Sequence, residues 1–277
     1  MLLNKLYMED HIKSALKEDI GYGDITTENL AGENEILQGA LNTRNDGILC
    51  GCDVFKTVFK TLCSDIEVKF YFKDGDKIKK DDKIADISGP AKYLLMGERV
   101  ALNYIQRMSG IATETAKYQA AILPFSAKIV DTRKTTPNFR MFEKYAVKTG
   151  GGALHRFNLS DCAMIKDNHI KFAGSITNAV MKLRENLSHA HKIEVECDNL
   201  EQVKEAVSVS ADIIMLDNMS VDEMKKAVEI INHRAIVEAS GNVRLETVNK
   251  IASTGVDIIS SSAIVAKAPT LDLALDM

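Results

Sequence analysis

Apolar and polar positions change period several times along this 277-residue chain. Residues 6–18 place Leu6, Ile12, Ala15 and Leu16 on one side of a helix, with charges elsewhere. Gly21-Tyr22-Gly23-Asp24 then reads as a turn. Between residues 35 and 95 the period shortens to that of a strand. Ile66-Glu67-Val68-Lys69-Phe70 and Ile84-Ala85-Asp86-Ile87 predict strands, and Asp74-Gly75-Asp76 and Ser88-Gly89-Pro90 predict the turns between them. From Gly97 to about Leu123 the spacing of Val100, Asn103, Tyr104 and Arg107 predicts a long helix. Ser109-Gly110 is a candidate break in it and Pro124 its end.

Beyond Pro124 the chain alternates. Short apolar runs lie at 127–130, 162–165, 193–197, 212–216, 235–239 and 256–259, with helical stretches at 175–186, 200–209, 221–232 and 245–253. Asp198-Asn-Leu-Glu201 and Ser220-Val-Asp-Glu223 read as capping boxes for two of those helices. Alternation of this kind predicts parallel βα units. No Gly-x-Gly-x-x-Gly follows a strand, which disfavours a dinucleotide-binding sheet. The expected fold class is therefore α/β: an open βα barrel resembling a TIM barrel over 111–268. An N-terminal α+β sandwich over 1–110 accompanies it, joined by the C-terminal tail 269–277.

Composition narrows the function. Hydrophobic content is 45%, charged content 27% and net charge −4, so no global basic field attracts nucleic acid, and any anion site is local. Cys50, Cys52, Cys63, Cys162 and Cys197 are odd in number and lack zinc-site spacing, which predicts reduced thiols and a cytoplasmic protein. The N-terminal residues meet charge too early for a signal sequence. No apolar run reaches the ~20 residues of a membrane span.

In a βα barrel, chemistry gathers at the C-terminal ends of the strands. Here those ends carry Asp131-Thr132-Arg133-Lys134; His155-Arg156 ahead of, and Lys166-Asp167-Asn168-His169 after, the second run; Glu194 and Glu196; Asp217-Asn218; Glu238-Ala239-Ser240-Gly241-Asn242; and Ser260-Ser261-Ser262-Ala263. One such residue alone is more often a solvated loop residue than a catalyst. Six strand ends of this kind predict a cationic cluster of Arg133, Lys134, His155, Arg156 and Lys166 beside carboxylates. Arginine forks match carboxylate and phosphate oxygens. Ser/Gly loops opening helices suit phosphate. Carboxylates among cations suit Mg²⁺ or sugar hydroxyls. Glu194 and Glu196 share one strand face. The Gly150-Gly151-Gly152 run reads as a flexible loop or a close backbone approach. His11, His189, His191 and His233 read as surface residues.

Taken together, Asp131-Thr-Arg-Lys-Thr-Thr-Pro137, Glu143-Lys-Tyr-Ala-Val147, Gly150-Gly-Gly152, His155-Arg156, Ile165-Lys-Asp-Asn-His-Ile170, Ile193-Glu-Val-Glu196, Ile214-Met-Leu-Asp-Asn218 and Glu238-Ala-Ser-Gly241 resemble the quinolinate phosphoribosyltransferase family. Glu18–Thr26 and Gly97–Asn103 fit the same family, so the resemblance runs over nearly the whole chain. It implies transfer of phosphoribosyl from phosphoribosyl pyrophosphate to quinolinate with loss of carbon dioxide, giving nicotinate mononucleotide. It implies that Arg133, His155, Arg156 and Lys166 hold the quinolinate carboxylates, joined by Arg99 from the other subunit of a homodimer. Lys134 would lie between the substrates. Glu196 and Asp217 would bind ribose hydroxyls and Mg²⁺, and with Lys134 form the catalytic set. Ser240, Gly241 and Ser262 would receive the 5-phosphate.

The chain departs from the family pattern at three places: Asn242 and Ser262 stand where Gly is usual, and Ala266 where His is. Lys267 offers compensating charge. Three alternatives follow: a nicotinate phosphoribosyltransferase, which needs only one carboxylate clamp; a relative that binds a phosphorylated ligand without turnover; and a lyase using Lys166 as a Schiff base, disfavoured by the charges flanking that lysine.

Overall fold

A computed structural model describes residues 3–32 and 35–277. The chain forms two compact units. One comprises Met1–Ala116, Met141–Gly151 and Ala268–Met277, the other Lys117–Arg140 and Gly152–Lys267.

The first unit is built on an antiparallel four-stranded sheet. Its order is Leu273–Asp276, Ile36–Thr43, Lys83–Pro90, Glu67–Phe70, so the chain's last strand pairs with its first. Helix Cys52–Leu62 buries Val54, Phe55, Val58 and Phe59 on one face, as a stripe repeating every three to four residues must. Helix Lys5–Ile20 buries Met8, Ile12 and Leu16, four residues apart. Leu6, two residues or about 200° round from Met8, is exposed, contrary to the sequence reading.

Two further expectations are corrected here. Ser88-Gly89-Pro90 is not a turn but the end of a strand, and the long helix starts immediately after it, spanning Ala91–Ala121 without a break at Ser109-Gly110. Gly89 is small because a Cβ there would lie 2.8 Å from Ile66. Gly110 is small because a Cβ would lie 1.9 Å from the Pro269 carbonyl oxygen, so the C-terminal segment rests on the helix. His11 is not a free surface residue either. Its Nδ1 lies 2.5 Å from the Tyr104 hydroxyl, its ring packs on Phe142, and burial lowers its pKa.

The second unit holds six parallel strands. In chain order they are Lys128–Val130, Ala163–Ile165, Ile193–Cys197, Ile213–Asp217, Ile236–Ser240 and Ile258–Ser260. In space the second to sixth run consecutively, and the first pairs with the sixth. First and last strands are thus neighbours while the first and second are not, which is a barrel left open at one seam. Helices Ile176–Asn186, Leu200–Ser208, Val221–Ile231 and Leu245–Ala252 connect successive strands and bury one apolar stripe each, such as Met224, Ala227 and Ile231.

Helix starts follow local chemistry. Ser220 and Glu223 form the expected reciprocal box. The other box lies one residue later than read. Asn199 accepts from the Gln202 amide, and Gln202 Oε1 accepts from the Asp198 amide, because Asn199, with extended backbone, is the residue that caps the helix.

Strand alternation sets the site. Ile193, Val195 and Cys197 are fully buried on one face, which leaves Glu194 and Glu196 to the other. Register pairs Glu196 with Met215, Met215 with Glu238, and Asp217 with Ser240. Register alone puts Glu196 level with Glu238, but burial separates them: Glu194 and Glu238 are buried, while Lys166, Glu196, Asp217 and Ser240 keep partial access to solvent at the open end.

Substituting Gly110→Ala should lower stability by about 1–3 kcal/mol, the usual cost of overpacking. Thermal unfolding checks this, and an unchanged midpoint would show that the C-terminal segment does not rest on the helix.

Candidate active site

The strand ends converge on one cavity of about 740 Å³ in the second unit. Its wall includes Arg133, Lys134, His155, Arg156, Lys166, Glu196, Asp217, Ser240, Gly241 and Ser262, each named from the sequence. Arg99 is not in this wall. It lies on the long helix of the first unit, 61% exposed and 4.0 Å from Glu98.

Each cation is placed by its backbone. Arg133 and Lys134 leave the first strand in a loop where the Lys134 amide donates to Thr132 Oγ1 at 3.0 Å. Arg156 precedes the second strand. Its guanidinium donates to the Cys162 carbonyl at 2.9 Å and touches Met164 Sδ at 3.5 Å, which fixes the fork against the strand it precedes. Lys166 caps helix Asp167–Ala173, and its Nζ lies 2.5 Å from Glu196 Oε2 on the neighbouring strand.

The carboxylate side is equally local. Asp217 ends the fourth strand, with Oδ2 accepting from Asn218 Nδ2 at 2.7 Å. Asn218 Oδ1 accepts from Asn242 Nδ2 at 3.1 Å. Gly241, at φ 93°, has no room for a side chain: a Cβ would meet Asn218 Oδ1 at 2.2 Å. Asn242 follows at φ 49°, left-handed backbone that Asn tolerates better than most residues. Ser262 precedes the short helix Ala263–Ala266, whose first amide donates to Ser261 Oγ at 3.2 Å.

Deeper in the barrel, His155 Nε2 lies 3.4 Å from both Glu194 and Glu238, which are buried. These three groups have metal-ligand character and converge within 4.8 Å. The ring's proton decides their role. Nδ1 lies 2.7 Å from the Arg156 amide nitrogen, and Nε2 holds a proton between the two carboxylates, so it offers no lone pair to a cation. Burial works against charge on this imidazole, but hydrogen bonds to Glu194 and Glu238 and their negative charge outweigh it and push its pKa up to about 10. Burial likewise raises the Glu194 carboxyl. The cluster thus retains protons well above the ordinary histidine range.

A cavity walled by six Arg and Lys side chains, two carboxylates and Ser/Gly loops is built for polyanions that also carry hydroxyls. Family models agree with it. Residues 24–109 match the N-terminal domain, and residues 111–276 the C-terminal domain, of quinolinate phosphoribosyl transferase. The chain belongs to this family.

Among relatives, a probable carboxylating nicotinate-nucleotide pyrophosphorylase of Synechocystis is 43% identical, covering 98% of this chain and 93% of its own. One from Bacillus subtilis is 40% identical, over 99% and 95%. The crystal structure of NadC from Streptococcus pyogenes superposes with a TM-score of 0.96 at 38% identity, covering 100% of this chain and 98% of that one. Human nicotinic acid phosphoribosyltransferase, at 11% identity and TM-score 0.58, shares the fold alone.

The sequence reading missed Arg244, which lines the cavity at the start of helix Leu245–Ala252. A basic residue three positions after the Ser240-Gly241 turn was the available signal. It also assigned no role to Glu238, because a carboxylate in mid-strand looks the same whether it points in or out.

The sign of the His155 shift fixes a stability profile. A raised folded pKa stabilises fully below the unfolded value near 6.5, and that contribution is lost as pH rises toward 10. Thermal midpoints of the wild type should therefore fall between pH 6.5 and 10 relative to those of His155→Asn. Parallel curves would show that the glutamates do not hold that proton.

Proposed function

We propose that the chain transfers phosphoribosyl from phosphoribosyl pyrophosphate to quinolinate and decarboxylates the product, yielding nicotinate mononucleotide, pyrophosphate and carbon dioxide. The observation that carries this reading is the meeting of Arg133, Arg156 and Lys166 in one cavity with Glu196 and Asp217. Two polyanionic substrates need such a surplus of cations, and a sugar needs the carboxylates.

In this reading Arg133, Arg156 and Lys166 hold the two neighbouring carboxylates of quinolinate, with His155 beside them. Lys134 stands between the substrates. The Ser240-Gly241 turn and Ser262 receive the 5-phosphate, and Arg244 and Lys267, both in the cavity wall, add charge there. Glu196 and Asp217 are hard oxygen donors on adjacent strands. That donor set fits Mg²⁺, which takes one or two carboxylates plus substrate phosphates and keeps its waters. When bound, the ion supplies Lewis-acid charge to the leaving pyrophosphate.

The chain's own groups do the rest. As the pyrophosphate oxygen departs, positive charge grows on the anomeric carbon, as in glycosyl transfer, and Glu196 and Asp217 stabilise it. The pyridine nitrogen then attacks that carbon. The resulting pyridinium draws in the electron pair of the ring C2–carboxylate bond as carbon dioxide leaves, and a proton replaces the lost group. No covalent enzyme intermediate is needed, so most of the acceleration is positioning. The Lys166–Glu196 pair keeps both groups satisfied before substrates arrive.

A nicotinate-specific enzyme needs a clamp for one carboxylate only, so the set of Arg133, Arg156 and Lys166 favours the dicarboxylate. Arg99 is inferred to reach the site from a second copy of the chain in a homodimer or higher oligomer. The free cysteines support a reducing, cytoplasmic location.

An assay of the purified protein with quinolinate, phosphoribosyl pyrophosphate and Mg²⁺ should yield nicotinate mononucleotide. Product only from nicotinate, or none, would overturn the reading. Arg133→Ala should raise the KM for quinolinate about ten- to a hundredfold, the value of a charged hydrogen bond, leaving the KM for the ribosyl donor nearly unchanged. For the dimer, mixing and re-associating inactive Arg99→Ala and Lys134→Ala proteins should restore partial activity, because one hybrid site is intact. Failure to do so would place Arg99 outside the partner's site.

A further inference from the structure

Arg140 lies outside the cavity wall, at the first position of helix Arg140–Thr149. A cation there opposes the helix dipole, which favours negative charge at an N-terminus. Its guanidinium shows what offsets that cost. Nε donates to Thr135 Oγ1 at 2.9 Å, Nη2 to the Arg133 carbonyl at 3.3 Å, and Nη1 to the Phe157 carbonyl at 3.1 Å. One rigid fork therefore ties the loop after the first strand to the loop before the second.

Those loops carry the facing arginines of the cavity. The Arg133 carbonyl is held directly and also accepts from the Thr135 amide at 3.0 Å. Phe157 is the residue after Arg156. Neither loop has regular secondary structure at these positions, and two guanidiniums facing one cavity repel each other. The Asp131 carboxylate, accepting from the His155 amide at 2.9 Å, makes one tie between these loops, and the Arg140 fork makes the one that acts at Arg133 and Phe157 themselves. A lysine could not replace the fork, because its ammonium is a point donor that cannot span three acceptors on two segments.

We propose that Arg140 is a positioning residue that sets the spacing between Arg133 and Arg156, and thereby the preference for a ligand with two adjacent carboxylates. The proposal rests on the clamp reading given above. Binding sites lose selectivity when their groups drift by fractions of an ångström, so the effect should fall on quinolinate and spare the ribosyl donor.

The test uses the full chain with Arg140→Lys, Thr135→Val and Arg133→Lys. Each is measured for kcat, both KM values, thermal midpoint, and inhibition by benzene-1,2-dicarboxylate against benzene-1,3-dicarboxylate. Arg140→Lys should raise the KM for quinolinate about tenfold, leave the donor's KM within about twofold, and erode the preference for the 1,2 isomer. Thr135→Val should shift the same quantities less, and decides the matter if Arg140→Lys fails to fold. Unchanged isomer preference, or a uniform decline of all constants with the thermal midpoint, would overturn the proposal. Arg133→Lys separates the two ideas: if it leaves quinolinate binding intact, the clamp itself fails; if it abolishes binding while Arg140→Lys is silent, only the positioning role fails.

Discussion

Gathering like charges is the constraint on which this structure depends. Arg133, Lys134, Arg156, Lys166, Arg244 and Lys267 share one cavity wall, and their repulsion grows as the surroundings become drier. The chain as a whole is slightly acidic, so the cationic field is a local construction. Its offset comes from inside the barrel. Glu194 and Glu238 form an anionic floor around His155, and Glu196 pairs with Lys166 at the open end. Further neutralisation arrives with substrates, so the attraction that binds them also relieves the site.

The barrel makes this arrangement possible through strand period alone. A side chain two residues further along a strand stands on the same face, so the strands of Glu194 and Glu238 each place one group on the floor and a second, Glu196 or Ser240, at the mouth. Glu194 and Glu196 differ only in depth, yet one is buried against an imidazole and the other meets solvent and Lys166. Identical chemistry thus acquires two roles from a single strand. The loops then finish what the strands begin. Arginines outside regular structure need backbone anchors, and both Arg156's own bond to Cys162 and the fork of Arg140 supply them.

Much of this was legible in the residues. The βα alternation and the polar strand ends were visible because parallel strands in a barrel are short apolar runs closed by their functional residues. The two-residue spacing of Glu194 and Glu196 put them on one face, though not which face. Boundaries failed where long-range packing decides them. Ser88-Gly89-Pro90 has turn composition, but its glycine serves contact with Ile66, and Gly110 serves contact with Pro269. Neither neighbour is close in sequence, so no local window reveals it. His11 was misread for the same reason: Tyr104 and Phe142 reach it from distant segments.

The departures from the family pattern after the fifth and sixth strands become intelligible in the same terms. A glycine is mandatory at 241, where Asn218 leaves no space, but not at 242, where an asparagine can occupy left-handed backbone. Asn242 uses that position to donate to Asn218, which in turn donates to Asp217. A side chain at 242 therefore links the Ser240-Gly241 turn to the Asp217 carboxylate. Ser262 faces the cavity with a hydroxyl that can donate where a glycine would offer only its amide, and Lys267 brings a charge to the same wall. Ala266 removes a polar group, but Asn242, Ser262 and Lys267 add donors and charge to the same wall, which suits an anion, and together they argue for a working site over a degenerate one.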